Sequence, residues 1–468
     1  MKRTNLALLM VLVLVMSLFC TGCLGKNIKN AVEQAMQSNE ETTETEPEET
    51  EPEESASKPV GNSPQFMTGA GIEETVLVDQ GGIKITATEL TYTGNRPELH
   101  LTLENNTDET LQFISGSIGY SVNAVNGYMI GSMYVNEEVL PGKISNEKVT
   151  IDYEELQLLG INEIAEIQIG FDIQNDDYDE VLVTGAKQIK TSVYDQYDLH
   201  EDTFRKAMSN ETVRGELLGQ DVYYSEEVVY DDGGVIVDTV LKGTNEYGDN
   251  VVYLEAYNNG SSPVNVEIGN VEIDGIVVCK STWTSETVLP EKHVVIDIDL
   301  DDVVDYGSAD IDLDSIGEII FTVGVSDEDY DEVAKDREVV IALNENGTGS
   351  GAKADGKEVY NSHGIRIIYK GINEDSFYSE ILFYVENQSG KDIEVTVDSL
   401  SVNDIMFNAF TYADVADGKT GTMTIELFET ELEENDLEVS DITEVEFGCE
   451  IMDSKWNTID KPTITVNP

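Results

Sequence analysis

Cysteine, proline, histidine, tryptophan and positive charge are all scarce in this sequence. Its 468 residues include four Cys, ten Pro, four His and two Trp. Four cysteines at positions 20, 23, 279 and 449 make no disulfide framework. Cys279 and Cys449 sit among aliphatic residues and are expected as buried, unpaired thiols. The histidines, His100, His200, His293 and His363, form no His-x-x-x-His pair and no Cys-rich setting. Each is read as a surface or strand residue. Lys and Arg number 27 against 93 Asp and Glu, a formal net charge of −66. Nucleic acid is thereby excluded as a partner, because binding needs a basic footprint that displaces counterions. Direct attraction to anionic lipid is disfavoured for the same reason.

The one long apolar run lies at the start. Lys2 and Arg3 precede Leu6 to Phe19, a stretch of signal-peptide length that is short for a membrane span. Cys20-Thr21-Gly22-Cys23 follows. Small residues at 21 and 22 suit a signal peptidase, and the Cys23 thiol is the expected lipidation site. Cys20 is a poorer acceptor, because bulky Leu18 and Phe19 precede it; it also holds the place where the usual lipobox has Leu. The alternatives are an ordinary secretory signal or an uncleaved anchor. From Glu40 to Glu54 stand nine Glu, two Pro and four Thr, with no base and no aliphatic residue. Such a run buries too little apolar surface to offset chain entropy and is expected to be a disordered, extended tether.

The rest of the chain repeats itself three times. Each copy opens with a strand, a glycine turn and a strand, around Gly82, Gly234 and Gly364. Each then carries a polar turn (Asn105-Asn106, Asn258-Asn259, Asn387-Gln388) and a second turn (Asn126-Gly127, Asp274-Gly275, Asn403-Asp404). A loop ending in Lys143, Lys292 or Lys419 comes next. An Ile-x-Glu-aliphatic motif follows at Ile161–Ile164, Ile316–Ile319 and Ile442–Val445. Last comes an aliphatic residue five before an aromatic: Ile173 and Tyr178, Val325 and Tyr330, Ile451 and Trp456. Apolar residues alternate, as in Leu99-x-Leu101-x-Leu103, which puts one strand face on a core and one in water. Turn dipeptides at short intervals complete the pattern of a β-sandwich.

The expected fold is mainly β, with three tandem immunoglobulin-like β-sandwich domains after a lipoprotein signal and a disordered acidic tether. The layout is a signal peptide over 1–22, lipidated Cys23 with an acidic linker over 23–70, and a first repeat over 71–194. A linker with a helix over 195–220, a second repeat over 221–343, a Gly/Ser/Ala-rich linker over 344–356 and a third repeat over 357–468 complete it. Together the lipobox and the repeats resemble Gram-positive bacterial surface lipoproteins that carry tandem Ig-like repeats of unassigned role. The resemblance implies anchoring at the extracytoplasmic face of the cell membrane and nothing about chemistry.

Motifs that touch on chemistry are incomplete. Ala413 to Thr420 approaches a phosphate-binding loop, but alanine replaces the first glycine and Asp414 and Asp417 would repel phosphate. Gly347 to Gly351 lacks the spacing of a nucleophile elbow. The acidic runs Asp297–Asp302, Asp310–Asp314, Asp176–Asp179 and Asp327–Asp331 offer oxygen ligands, yet no glycine stands sixth in the loop from Asp310, and Phe321 takes its twelfth place. They are read as solvated faces. Tyr92, Tyr120, Tyr128, Tyr223, Tyr224 and Trp283 are candidate sugar-stacking aromatics, against a competing role as core or cross-strand partners. No catalytic residue, metal ligand or cofactor is therefore assigned. The expected function is non-enzymatic: display of tandem sandwiches for binding, or as a spacer, with a cell-envelope polymer or an extracellular protein as partner. The alternatives are an extracellular hydrolase with an unrecognised site, or a calcium- or carbohydrate-binding surface protein.

Overall fold

Alternation becomes burial in the computed structural model. It describes residues 66–468 apart from 117–121, 220–221, 246, 308, 310, 345–346, 348, 350–355, 375–377 and 410. The expected signal peptide, Cys23 and the Glu-rich tether lie outside the described residues. In the strand Arg96–Asn105 every second residue from Pro97 onward is buried. The same period runs through Ile393–Val402 and Val445–Asp453. The chain is mainly β, its strands forming several sheets consistent with tandem β-sandwiches. Three apolar clusters hold it together, centred on Leu101 and Phe113, on Val266 and Phe321, and on Phe383 and Phe447.

Each repeat pairs two sheets. In the first, one sheet orders Thr75–Gln80, Ile83–Thr93, Arg96–Asn105 and Lys143–Thr150. The facing layer is interrupted near Gly170, so Leu111–Ser115 and Asp172–Asn175 belong to one sheet while Ala124–Val125 and Glu166–Ile169 belong to another. That other sheet does not stop at the repeat. The two-residue strand Tyr128–Met129 pairs in parallel with His293 of the strand His293–Asp299, carrying the sheet into the second repeat. The pattern recurs one repeat later, where Ile276–Val277 pairs in parallel with Thr420 and Gly421. Two nine-stranded sheets result, each spanning a junction.

The recurring polar positions have structural work. Asn105, Asn258 and Asn387 are fully buried at matching sites. Each Nδ2 donates to two backbone carbonyls: Glu109 and Val139, Ser262 and Val288, Lys391 and Val415. Each Oδ1 accepts a backbone N–H two residues on. At the second turn Asn126, Asp274 and Asn403 stand at positive φ, and each side-chain oxygen accepts two consecutive backbone N–H groups. Those groups belong to Ala165-Glu166, Gly317-Glu318 and Thr443-Glu444, so the first copy's Ile-x-Glu-aliphatic anchor is Ile164–Ile167 and not Ile161–Ile164. The run Ile161 to Ile167 satisfies the pattern twice, and only the Asn126 contact distinguishes the two.

Two segments expected to be linker chain are packed. Phe66 and Ala70 are buried, Phe66 against Tyr92 and Tyr153. Between the first and second repeats lie two short helices, Thr203–Met208 and Glu211–Leu218, capped by Asp202 and Asn210. Phe204, Met208 and Leu218 bury themselves against the first core. Apolar residues at 204, 208, 213 and 218 recur at near-helical spacing, which makes this stretch part of the junction.

Candidate functional site

The most elaborate polar site lies at the first junction. Parallel pairing places Tyr128 beside His293, with their rings stacked at 5.0 Å between centroids. Tyr257 covers His293 at 4.6 Å, holding the imidazole between two phenols. Glu255, on the neighbouring strand Asn250–Asn258, points at the same place and is 1 % exposed. From the linker comes Asp202, whose carboxylate caps the helix Thr203–Met208. Tyr128 Oη lies 3.0 Å from Glu255 Oε1 and 3.2 Å from Asp202 Oδ1, and accepts the Phe204 backbone N–H. Arg205 Nε stands 3.0 Å from Asp202 Oδ2, and the guanidinium also pairs with Asp238. Donor atoms of Asp202, Glu255 and His293 all fall within 4.8 Å of one another.

Electrostatics set this cluster apart. Burial pushes the Glu255 carboxyl up, neighbouring Asp202 adds to the rise, and His293 opposes it. Burial also pushes the Tyr128 phenol up, well clear of ionisation. His293 Nδ1 lies 3.0 Å from Glu255 Oε1 outside hydrogen-bond alignment, and Glu255 Oε2 meets no hydrogen-bond donor, with the Asp202 carboxyl close by. Sequence reasoning read His293 as an ordinary strand residue and passed over Glu255. Alternation puts Val252, Leu254 and Ala256 on the core face and Glu255 on the opposite one, where a polar residue is ordinary, so the sequence carried no local signal that this carboxyl is buried at a junction.

Both junctions share a further device. The lysine that ends each repeated loop reaches back into the preceding repeat. Lys292 Nζ lies 3.8 Å from Glu166, and Lys419 Nζ 2.6 Å from Glu272. The run from Ala413 to Thr420 is accordingly the end of the strand Thr411–Val415, a turn at Asp417-Gly418 and the start of the strand Thr420–Phe428, and its lysine binds a carboxylate. In the first repeat the matching strand edge has no neighbour among the described residues, and Ile144 is 59 % exposed where His293 is covered.

The remaining candidates separate cleanly. Asp327 Oδ1 accepts the N–H groups of Asp329 and Asp331, as Asn175 does for Asp177 and Asp179, and Asp453 for Lys455 and Asn457. The acidic clusters at 176–179 and 327–331 are thus hairpin turns whose first residue closes the loop. In each the aromatic stands at positive φ and is exposed: Tyr178 at 85 %, Tyr330 at 66 % and Trp456 at 72 %. Among the sugar candidates Tyr128 and Trp283 are buried, while Tyr92, Tyr223 and Tyr224 are half-buried and Tyr120 lies outside the described residues. Asp299 caps the helix Leu300–Tyr306. Beside it a hollow of about 410 Å³ is lined by Asp301, Asp305, Asp312 and Asp314, where Lys242 Nζ donates to Asn250 Oδ1 and the Leu313 carbonyl. Cys279 and Cys449 are buried and unpaired, and burial pushes the Cys449 thiol up to about 12. No helix among the described residues is long and apolar enough to cross a membrane.

No protein-family model and no curated protein matches the chain. Solved structures resemble parts of it weakly. An exo-chitosanase of Amycolatopsis orientalis, in complex with PNP-β-D-glucosamine, is 12 % identical with a TM-score of 0.14; the match covers 49 % of this chain and 26 % of that one. A protein of unknown function from Porphyromonas gingivalis W83 is 9 % identical with a TM-score of 0.14, covering 47 % and 91 %. The Salmonella enterica SafA pilin in complex with the SafB chaperone gives 10 %, 0.14, 52 % and 96 %. The chain therefore spans about a quarter of the exo-chitosanase. At such TM-scores these likenesses carry no argument.

Proposed function

We propose that this chain is a non-enzymatic lipoprotein of the cell surface, anchored through Cys23 at the extracytoplasmic face of the membrane, whose repeats form a stiff spacer. The observation that carries the spacer reading is the junction itself. Twice, a two-residue strand of one repeat extends the sheet of the next, and twice a lysine closes the gap. Domains joined by flexible linkers alone move freely, whereas a shared sheet restrains both bend and twist. The recurring Asn and Asp side chains bind backbone, which fits a structural role for the repeats. Net charge of −66 keeps such a stalk soluble and separated from its neighbours. Lipidation rests on Cys20-Thr21-Gly22-Cys23 behind an apolar run. Cys23→Ala should abolish labelling by a clickable fatty acid and release the protein from the membrane fraction. Unchanged labelling would refute the anchor.

A second reading has its own support. The turn position taken by Tyr178, Tyr330 and Trp456 is left-handed, which favours glycine, yet each repeat exposes an aromatic there. Three such side chains suit a repetitive partner such as a cell-envelope polymer. Retention of the wild type on isolated cell walls, lost when all three are changed to Gly, would favour display over spacing alone. Equal retention would remove this reading.

A further inference from the structure

We propose that the first junction is a binding site for one divalent transition-metal ion of the zinc class, with His293, Glu255 and Asp202 as its ligands. Three observations on separate segments converge. Donor atoms of the three residues already lie within 4.8 Å of one another. Zinc bonds to imidazole and carboxylate run about 2.0–2.2 Å, so four-coordinate donors stand roughly 3.4 Å apart. Glu255 is 1 % exposed and its Oε2 meets no hydrogen-bond donor, which is costly for a buried carboxylate oxygen unless an ion or a proton satisfies it. His293 Nδ1 approaches Glu255 Oε1 at 3.0 Å without the alignment of a hydrogen bond.

The donor set selects the ion. Calcium and magnesium want six or more oxygens, whereas one imidazole with two carboxylates and an open fourth position suits zinc. Outer contacts are in place. Tyr128 Oη touches both carboxylates, Arg205 orients Asp202, and the two flanking phenols fix the His293 ring. Half-exposed Asp202 gives access from solvent. Register places the counterparts of His293 at Ile144 and Thr420, and those of Glu255 at Thr102 and Tyr384. None of those four residues offers a histidine or carboxylate donor. An ion bound here would tie the linker helix to two strands of the second repeat beneath Tyr128 of the first, and so lock that junction alone.

The intact chain, stripped with chelator and held in millimolar magnesium to fill diffuse acidic sites, should be titrated with zinc chloride by calorimetry. One site per chain is expected. His293→Thr, which installs the third repeat's residue, should weaken binding at least tenfold, and Glu255→Gln should do the same. Cobalt(II) added to the wild type should give the intense visible bands of a four-coordinate site, and this holds whether or not the variants fold. Zinc binding that never saturates, equal affinity in folded His293→Thr, or a cobalt spectrum of six-coordinate type would each overturn the proposal.

Discussion

Replacing Asn387 by alanine should unfold the third repeat roughly 10 °C earlier than in the wild type. The side chain is fully buried at the end of the strand Tyr378–Asn387. Its Nδ2 donates to the Lys391 and Val415 carbonyls at 2.7 and 2.9 Å, and its Oδ1 accepts the Ser389 N–H at 3.0 Å. Alanine removes all three bonds. The Lys391 and Ser389 groups are near solvent and regain water, losing about 0.5–1 kcal/mol each. The Val415 carbonyl is enclosed and keeps no partner from this side chain, a penalty of about 1–3 kcal/mol. A total of about 2–5 kcal/mol follows. For a domain of this size each kcal/mol moves the melting temperature by about 3–5 °C. Differential scanning calorimetry should show the shift, with Gln388→Ala, one residue on and exposed, as the control that changes little. A loss below 0.5 kcal/mol for Asn387→Ala would refute the claim that the recurring asparagines staple the repeats.

Glu286 gives a pH prediction. Burial, with Asp297 and Glu155 adding repulsion, pushes its carboxyl up to about 7. A raised folded pKa means no penalty below about 4.5, where both states are protonated, and a growing loss of stability as pH rises from there through 7. Glu286→Gln should therefore stabilise the protein at pH 8, by on the order of 2 kcal/mol, and change little at pH 4.5. Urea unfolding at both values tests this, and a pH-independent effect would contradict it. Lys419→Ala strips the partner from largely buried Glu272 and should cost about 1–2 kcal/mol. Lys148→Ala, at an exposed pair with Glu98, should cost under 0.5 kcal/mol by the same assay. Brief limited proteolysis should spare 203–218, whose apolar residues are packed, in contrast to an exposed linker.

Strands, turns and the threefold repeat were legible in the sequence because alternation and turn residues are local signals. Leu99, Leu101 and Leu103 announce a buried face without any knowledge of what covers it. The asparagine anchors stood out by recurrence, though their targets, carbonyls 28 to 34 residues away, are set by tertiary structure. Junctions were not legible. Pairing between Tyr128 and His293 spans 165 residues and uses one bridge pair, too little to leave a periodic trace. The helices at 203–218 are short, and a polar composition hid the few apolar residues that dock them. Acidic hairpin turns resembled metal loops because both need oxygens at close spacing. Only backbone geometry shows that Asp327 serves its own turn.

Stiffness across the two shared sheets is the claim on which the spacer account stands. Distances between spin labels test it most directly. Labels at Asp108→Cys and Glu328→Cys report the first junction, and labels at Glu328→Cys and Glu433→Cys report the second, in residues 63–468 so that only the buried Cys279 and Cys449 remain as native thiols. Pulsed electron–electron resonance should give a single narrow distance for each pair, and Lys419→Glu, which opposes Glu272, should broaden the second alone. Broad distributions for both pairs in the wild-type background would show freely jointed domains and contradict the account.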